Sequence, residues 1–286
     1  MPITPYHLLR PKHLRSGVVF ASPHSGADYP DAFVRNSVLD RHMIRSSEDA
    51  FVDRLFDAAP GLGAPLLVAR VPRAFVDLNR GPDELDPALI EGARRGGHNP
   101  RVTSGLGVIP RVVANGKAIY RGKLTMATAR HRIDQYWYPY HRALQSLLEE
   151  SLDRFGQAVL VDCHSMPHEA MDGTARRNRQ RADIVLGDRF GAAADADVVD
   201  RIEAAFGSVG LKVARNTPFA GAYVTQAYGR PSRNQHAVQV EIDRALYMDE
   251  KTIRPNSNFD TFCGLMRQVT TEIAAIAGDK MPLAAE

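Results

Sequence analysis

Short apolar runs alternate with longer amphipathic stretches along most of the chain. The runs have the length of buried strands, and the stretches between them repeat their apolar residues at the helical period. Strands that alternate with helices favour an α/β fold, with helices on both faces of a largely parallel sheet. We therefore predict one α/β domain over residues 1–286. The predicted strands are Val18 to Ala21, "PLLVARV", "AVLV" (158–161), "ADIVLGD", "LKVARN" and "HAVQVEID".

Capping and breaking residues set the expected helix boundaries. "SSEDAFVDRLFDAAPGLGAP" (46–65) predicts a helix that Ser46 or Ser47 caps and that Pro60-Gly61 ends. Residues 125–156 predict one long helix or two, because Pro139 should kink or divide it. Residues 81–105 are rich in Gly, Pro, Asp and Arg, so we expect a long functional loop there. "LGVIPRVV" predicts a short strand, and "DADVVDRIEAAFGSVG" and "NFDTFCGLMRQVTTEIAAIAG" predict two further helices.

Composition narrows the class of protein. The 286 residues are 44% hydrophobic and 24% charged, which suits a soluble chain with a substantial core. The net charge of +3 is mild, and the Arg-rich stretches 91–101 and 174–183 lack an aromatic or motif pattern, so we expect no nucleic-acid partner. Two cysteines, the absence of a signal-peptide core and the absence of a membrane-length apolar run favour the cytoplasm. The oligomeric state stays open.

Three predicted strands deliver residues capable of metal or acid–base chemistry, namely His24, His164 and Glu241. Sites in α/β sheets gather at the carboxyl ends of strands. Two histidines and a carboxylate suit a catalytic zinc ion with one position left for water, and a further glutamate would serve as general base. Each residue also has a structural interpretation: His24 as a turn histidine, and Glu241 as the partner of Arg244. Spacing alone leaves both interpretations open.

The carboxylate ligand has two candidates, Glu48 and Asp49, at the start of the helix predicted over 46–65. At a helical period, Glu48 lies nearer the centre of the apolar stripe. Capping geometry disturbs that period in the first turn, however, and either carboxylate would also be favourable at a helix N-terminus for its charge alone. The helical pattern therefore leaves the choice open.

The segment "VDLNR" (76–80) places Asp77, Asn79 and Arg80 after a strand-like run. A guanidinium group offers two parallel donors that match a carboxylate. Beside a metal site, Arg80 would hold an acidic substrate in place. The alternative is a salt bridge between Arg80 and an acid of the loop "GPDELDP".

Five segments together resemble the N-formylglutamate amidohydrolase family: "SPHSGADYP", "DAFVDRLF", "VDLNRGPDELDP", "DCHSMP" and "VQVEIDRALYM". Their order and approximate spacing fit, and the match covers most of the chain. The family is related to the zinc carboxypeptidases and to the aspartoacylase and succinylglutamate desuccinylase group. The resemblance implies a three-layer αβα fold with a mixed sheet, one catalytic Zn²⁺ per chain or another divalent metal, substrate binding by Asn79 and Arg80, and Glu241 as the catalytic glutamate.

The chain departs from those relatives in two segments. The relatives often carry the metal-binding carboxylate three residues after the first histidine, where this chain has Ala27. Family members commonly carry a segment like "TDWHVDRLY", which aligns with "EDAFVDRLF" and implies a ligand at Asp49. We therefore predict that His24, Asp49 and His164 bind the metal. The altered segment leaves another N-acyl amino acid open as substrate.

The predicted reaction is metal-assisted hydrolysis of an amide bond. Zinc lowers the pKa of water towards about 7, and Glu241 takes its proton and passes it to the leaving amine. We expect zinc and Arg73 to stabilise the oxyanion and Arg244 to hold a second substrate carboxylate. Asp162 or a backbone carbonyl would orient a zinc-bound imidazole. With the family's best-known substrate, N-formyl-L-glutamate, the products are formate and L-glutamate, a step of histidine degradation.

Two other classes of protein stay open. The same fold would bind a small acidic ligand without turnover if Glu241 only neutralised Arg244, and a metal assay separates the two. A serine hydrolase is the weaker alternative. Ser22, Ser25 and Ser165 lie near histidines in the sequence, but none of them stands in a G-x-S-x-G elbow.

Overall fold

The computed structural model describes residues 4–94, 99–172 and 181–278. Seven strands form a mixed sheet, and two short strands, β8 (Met248–Asp249) and β9 (Arg254–Pro255), form a separate antiparallel pair. The sheet strands are β1 (Tyr6–Leu9), β2 (Val18–Ser22), β3 (Leu66–Ala69), β4 (Ala158–Met166), β5 (Ile184–Gly187), β6 (Val213–Arg215) and β7 (Gln235–Asp243).

The sheet order is β1-β3-β2-β4-β7-β5-β6. Strands β3, β2, β4 and β7 run parallel to one another. β1 lies antiparallel at one edge, and the parallel pair β5 and β6 lies antiparallel to β7 at the other. The carboxyl ends of the four parallel strands therefore meet at one edge of the sheet, as a site in an α/β sheet requires.

Helices cover both faces of this sheet and confirm the predicted αβα arrangement. On one face α2, α6 and α8 pack on the sheet, and on the other α1, α4, α5 and α7 do so. The helices are α1 (Asp31–Asn36), α2 (Val52–Leu55), α3 (Pro100–Thr103), α4 (Met126–Arg132), α5 (Tyr138–Phe155), α6 (Ala196–Ser208), α7 (Tyr223–Tyr228) and α8 (Phe259–Ala274).

β4 shows how the sequence supplies both cores. Successive side chains of a strand point to opposite faces. Val159 and Val161 accordingly join the core beneath α2, α6 and α8, whereas Ala158 and Leu160 join the core beneath α5. A strand buried on both faces reads as a continuous apolar run, which is why this strand could be predicted from its sequence.

The division expected at Pro139 is present. α4 and α5 are joined by one π-helical turn, Ile133–Trp137, in which the Tyr138 amide donates to the Ile133 carbonyl oxygen. Pro139 has no amide hydrogen and its ring crowds the carbonyl four residues earlier, so a regular α-helix cannot pass through this point.

Two predicted elements are wrong. Residues 46–65 do not form one helix, because Phe51 adopts a left-handed conformation (φ 67°) and α2 begins only at Val52. "LGVIPRVV" does not form a strand and contributes an isolated bridge between Val112 and Ala118. Conversely, the edge strand β1 was not predicted, because three of its residues are only partly buried, His7 is exposed, and the four give no clear period.

Some predictions are not tested. A single domain over 1–286 stays a prediction, and parts of the Arg-rich stretches (95–98 and 173–180) lie outside the described residues. In the parts of the chain that the structure describes, no helix is long and apolar enough to cross a membrane.

Candidate metal centre and substrate cleft

One face of β4 and β7 changes from apolar to polar halfway along the strands. Leu160 still belongs to the core beneath α5. The next positions on that face are polar and in register, with Asp162 beside Gln239 and His164 beside Glu241. The polar residues thus lie within the carboxyl halves of two buried strands. Glu241 was predicted inside its strand, whereas Asp162 and His164 were expected just beyond the end of "AVLV" (158–161).

His24 and Asp49 reach the same place from loops. His24 lies two residues beyond the end of β2, and the Asp49 amide donates to the His24 carbonyl oxygen at 3.0 Å. The left-handed Phe51 then turns the chain into α2. This backbone hydrogen bond and the turn at Phe51 place the Asp49 carboxylate beside His24 and His164. The side chains of His24, Asp49 and His164 are all buried.

The two imidazoles present the same nitrogen to one carboxylate oxygen. Nδ1 of His164 lies 2.9 Å from Asp49 Oδ2, and Nδ1 of His24 lies 3.4 Å from that oxygen. One potential ligand atom from each of the three residues lies within 4.8 Å of the other two. The sequence prediction that these three residues would meet is therefore matched by the geometry.

A second carboxylate holds the far side of each ring. Nε2 of His24 donates to Asp77 Oδ1 at 2.7 Å, and Nε2 of His164 lies 3.0 Å from Asp162 Oδ2. Because an ionised carboxylate only accepts hydrogen bonds, these contacts favour a proton on Nε2 in both rings. By the same reasoning, Asp49 favours a proton on His164 Nδ1 while no metal is bound. Loss of that proton on metal binding would leave both Nδ1 lone pairs and the Asp49 carboxylate as electron-pair donors around one point.

This donor set fits a metal ion. Nδ1 of His24 is buried and has no hydrogen-bond partner among the described residues. Burial lowers the pKa of His164, but the Asp162 and Asp49 carboxylates outweigh burial and hold that pKa well above its ordinary value. Burial acts in the opposite direction on Asp49 and raises its pKa, but His164 and His24 outweigh burial and hold the pKa of Asp49 well below its ordinary value. The centre thus favours positive charge, and the buried His24–Asp49–His164 group can hold a metal ion.

Glu48, the other candidate carboxylate, is engaged elsewhere. Arg45 donates to it through Nε and Nη2, each at 3.0 Å from a carboxylate oxygen, and the Tyr29 hydroxyl donates to it at 2.5 Å. The prediction that Glu48 lies nearer the apolar stripe assumed a helix from residue 46 onward. That assumption is wrong, because α2 begins only at Val52.

Glu241 is a buried carboxyl group beside the centre. It is 8% exposed, and its Oε1 accepts a hydrogen bond from Gln239 Nε2 at 2.7 Å. Burial raises the pKa of Glu241 to about 7; the Asp49 charge adds to this shift, and His164 and nearby arginines oppose it. A group with that pKa can both accept and donate a proton near neutral pH.

The structural interpretation of Glu241 required a salt bridge to Arg244, and Arg244 does not form one. Its Nη2 donates to Asp49 Oδ1 at 2.9 Å, and its Nε donates to Ser165 Oγ at 3.1 Å. Arg244 therefore holds the second oxygen of Asp49 while the first faces the histidines. Among the described residues Glu241 has no salt bridge closer than 4.0 Å, so its carboxyl group stays available.

Arg80 is a buried cation without a carboxylate partner among the described residues. It is 5% exposed, and it donates through Nε to the Leu106 carbonyl oxygen at 2.8 Å and through Nη1 to the Asn79 carbonyl oxygen at 2.7 Å. The alternative salt bridge to the following loop is absent. Burial lowers the pKa of Arg80, and the nearby Asp77 charge opposes that shift without forming a salt bridge to Arg80. Burying a cation without a paired anion is costly. An anion in the cleft would offset that cost.

Asn79 and Arg73 make contacts that their motif did not reveal. The Asn79 side chain donates to Asp162 Oδ2 at 3.2 Å and accepts from the Val224 amide at 2.8 Å, so it belongs to the floor of the site. Arg73 donates through Nε to Asp77 Oδ2 at 3.0 Å. Asp77 thereby joins Arg73 to the His24 ring.

All eight predicted site residues line one cleft of about 590 Å³. Asp77, Ser165, Gln239 and Arg101 line the same cleft. The sequence analysis named Asp77 and Ser165 without predicting these positions, and it gave no role to Gln239 or Arg101. Gln239 had a usable signal, because a polar residue two positions before Glu241 in a buried strand must share its face. No signal predicted the contact of Asp77 with His24, because it spans 53 positions of the chain.

Comparison with known proteins identifies the family. The model of the N-formylglutamate amidohydrolase family matches residues 16–248. N-formylglutamate deformylase of Pseudomonas aeruginosa is 32% identical over 84% of this chain and 85% of its own length. N-formylglutamate deformylase of Pseudomonas putida is 30% identical over 82% of this chain and 83% of its own length. The chain belongs to the N-formylglutamate amidohydrolase family.

Solved structures agree with the fold. The crystal structure of N-formylglutamate amidohydrolase from Ralstonia eutropha JMP134 is 36% identical, has a TM-score of 0.90, and covers 96% of this chain and 99% of that one. A gene product of Agrobacterium tumefaciens, 17% identical with a TM-score of 0.64, shares the fold over 95% of each chain.

Proposed function

We propose that this protein is a zinc-dependent amidohydrolase that converts N-formyl-L-glutamate to formate and L-glutamate. The relatives are named N-formylglutamate deformylase and N-formylglutamate amidohydrolase, which supports N-formyl-L-glutamate as the substrate and its amide bond as the bond that is hydrolysed. The observation that carries the proposal is the convergence of three buried ligand atoms beside Glu241, whose pKa lies near 7, in a cleft with an unpaired arginine.

His24, Asp49 and His164 would hold the metal, with the two imidazoles binding through Nδ1. Two nitrogens and one carboxylate oxygen form a donor set that zinc prefers, and Asp77 and Asp162 would keep the rings oriented. Zinc in such a site supplies Lewis acidity, which lowers the pKa of water and polarises a carbonyl group. Another divalent metal ion that prefers nitrogen and carboxylate ligands would supply the same Lewis acidity.

Glu241 moves the proton. Its carboxylate takes a proton from the attacking water as the new C–O bond forms at the formyl carbon. It then gives that proton to the amine nitrogen as the C–N bond breaks, so formate and the amino acid leave and Glu241 returns to its starting state. Because Gln239 binds only one oxygen of Glu241, the other oxygen stays available for this transfer.

The arginines hold the charged parts of the substrate and of the transition state. Arg80 would bind a substrate carboxylate, since it has no acidic partner of its own. Arg73 would stabilise the developing oxyanion through the nitrogens that do not bind Asp77. Arg244 would bind the second carboxylate only through Nη1, because its other donors hold Asp49 and Ser165; Nη1 itself lies 3.9 Å from Glu250 Oε2, with which the substrate would compete. A direct binding role for Asn79 rests on the family resemblance.

We also propose that the protein works in the cytoplasm on this small acidic substrate, with no nucleic acid or membrane partner. Cys163 and Cys263 are both free thiols, which suits a reducing compartment.

A substrate comparison tests the proposal. Steady-state rates of formate and L-glutamate release from N-formyl-L-glutamate would be compared with rates on N-formyl-L-glutamine and N-acetyl-L-glutamate. We expect the highest kcat/KM for N-formyl-L-glutamate. Preference for another N-acyl amino acid would reject the substrate and keep the reaction, whereas saturable binding of L-glutamate without any hydrolysis would favour the binding protein.

A further inference from the structure

The segment Leu78-Asn79-Arg80 is shaped by side chains and not by secondary structure. It lies in no helix or strand. Its three consecutive carbonyl oxygens each accept a hydrogen bond from a side chain. The donors are His141 Nε2 to Leu78 at 2.9 Å, Arg80 Nη1 to Asn79 at 2.7 Å, and Trp137 Nε1 to Arg80 at 2.9 Å.

Two of these donors form a rigid unit at the start of α5. Trp137 and His141 are four residues apart, and their rings stack with centroids 3.9 Å apart and an interplanar angle of 28°. The spacing of four residues across the first turn of α5 places the indole on the same side of the helix as His141. Both rings are buried, at 5% exposure each.

α7 fixes the orientation of His141. The Tyr228 hydroxyl lies 2.8 Å from His141 Nδ1, and the two rings are parallel within 3°. A hydroxyl that donates to Nδ1 leaves the ring proton on Nε2, where the Leu78 carbonyl oxygen accepts it. Burial lowers the pKa of His141 to about 4, so the ring stays neutral and keeps this tautomer near neutral pH. α7 also binds the Asn79 side chain through the Val224 amide.

We propose that Trp137 and His141 are positioning residues that hold the backbone of residues 78–80 and thereby aim the Arg80 guanidinium into the cleft. This inference rests on the proposed function in one respect, the assignment of Arg80 to a substrate carboxylate. Neither ring lines the cleft, so neither touches the substrate. Their loss should weaken substrate binding and leave the proton transfer at Glu241 intact.

Trp137→Phe is the first test, because it removes the indole N–H and keeps a smaller aromatic ring that can still stack on His141. We expect KM for N-formyl-L-glutamate to rise about three- to tenfold, the usual effect of one hydrogen bond, with kcat within about twofold of wild type. Amide hydrogen exchange at residues 78–81 should become faster. Tyr138→Phe is the matched control, since Tyr138 is adjacent and 41% exposed, and phenylalanine keeps its edge-on ring contact with Trp137.

The two readouts separate this proposal from the proposed function. Faster exchange at residues 78–81 together with a raised KM supports the positioning role. Unchanged exchange or an unchanged KM in Trp137→Phe overturns it. If wild type does not hydrolyse N-formyl-L-glutamate, the proposed substrate fails, and exchange and the Kd for L-glutamate decide the positioning role in the same way.

Two variants of His141 distinguish the loss of its hydrogen bond from a general folding defect. His141→Gln keeps a side-chain N–H that can reach the Leu78 carbonyl oxygen, whereas His141→Phe keeps the ring shape and removes the donor. We expect the glutamine variant to retain a KM closer to wild type than the phenylalanine variant. Equal KM values for the two variants, with equal thermal stability, would contradict a hydrogen-bonding role for His141.

Discussion

On the face of β4 and β7 that carries the site, the first and last halves of the strands are buried to a similar degree but carry opposite chemistry. Leu160 and Ala237 in the first halves are 0% exposed, and His164 and Glu241 in the last halves are 2% and 8% exposed. The two apolar residues pack in a core, where their burial stabilises the fold. The polar residues depend instead on specific partners, because a buried polar group without one is costly.

This difference separates stability from activity along the same strands. In the first halves, a substitution removes packing that any apolar side chain of similar volume could restore. In the last halves, His164 is held by Asp49 and Asp162, and Glu241 by Gln239, so a substitution removes an oriented functional group. We therefore expect variants of the two halves to affect different measurements.

The largest effect should follow from loss of a ring in the metal centre. His24→Ala should retain less than about 0.1 metal ion per chain after gel filtration, with kcat/KM lower by about 1,000-fold or more. His236→Asn is the control in the first half of β7. His236 is also buried, but its Nδ1 only accepts from the Asp195 amide, which asparagine can replace. Metal loss in both variants would show that replacing any buried histidine releases the metal. It would contradict the difference proposed between the two halves of the strands.

Glu241→Gln should lower kcat/KM by about 10²- to 10⁴-fold while the protein keeps its metal, because the amide cannot accept the proton. Val240→Ala, the adjacent position on the opposite face, should do the reverse. It should lower the free energy of unfolding by roughly 2 kcal/mol and leave kcat/KM within about twofold. Denaturant titration and steady-state kinetics measure both quantities. Substantial activity in Glu241→Gln would remove Glu241 from the mechanism.

The carboxylates behind the rings should have an intermediate effect. Asp77→Asn and Asp162→Asn should each weaken metal affinity about 10- to 100-fold, since each loses a charged partner of a ligating imidazole. Competition with a chromogenic chelator measures the affinity. Tight metal binding in both variants would mean that the Nε2 contacts do not orient the rings.

The smallest effect should appear in the pH dependence. As a base, Glu241 must lose its proton, so kcat/KM should rise with pH and reach half its plateau at or below about 7, because a bound cation lowers the pKa of a nearby carboxyl. A kcat/KM that falls as pH rises from about 5 to 7, or that reaches half its plateau well above 7, would contradict this role.

The same shift predicts a stability effect in metal-free protein. The folded pKa of Glu241 is raised from 4.5 to about 7, so the folded state binds more protons than the unfolded state between these values. Stability should therefore fall as pH rises through that window, by roughly 3 kcal/mol at most. Chemical unfolding at pH 5 and pH 8 measures the change, which should be smaller in Glu241→Gln. An equal change in both proteins would assign it to other groups.

The sequence predicted what short-range patterns determine. The central strands could be recognised because they are apolar and bounded by turns, and Glu241 stood out because it interrupts such a run. The division at Pro139 followed from the chemistry of proline. Family resemblance supplied Asp49, which the helical period did not favour.

Long-range contacts account for what the sequence did not reveal. The position of Asp49 depends on a left-handed Phe51, and a periodicity argument assumes that no such residue interrupts the helix. Asp77 meets His24, and Trp137 meets Arg80, only because the sheet and α5 bring distant segments together. These contacts decide which nitrogen of each ring faces the centre and where Arg80 points.

The most direct test of the central claim is a zinc titration of chelator-treated protein, with deformylation of N-formyl-L-glutamate measured at each addition. The account predicts no activity at the start and a linear rise to a plateau at about one zinc ion per chain, with no activity at any zinc level in His24→Ala. Full activity in the chelated, metal-free protein would contradict it, as would a plateau reached equally well by His24→Ala.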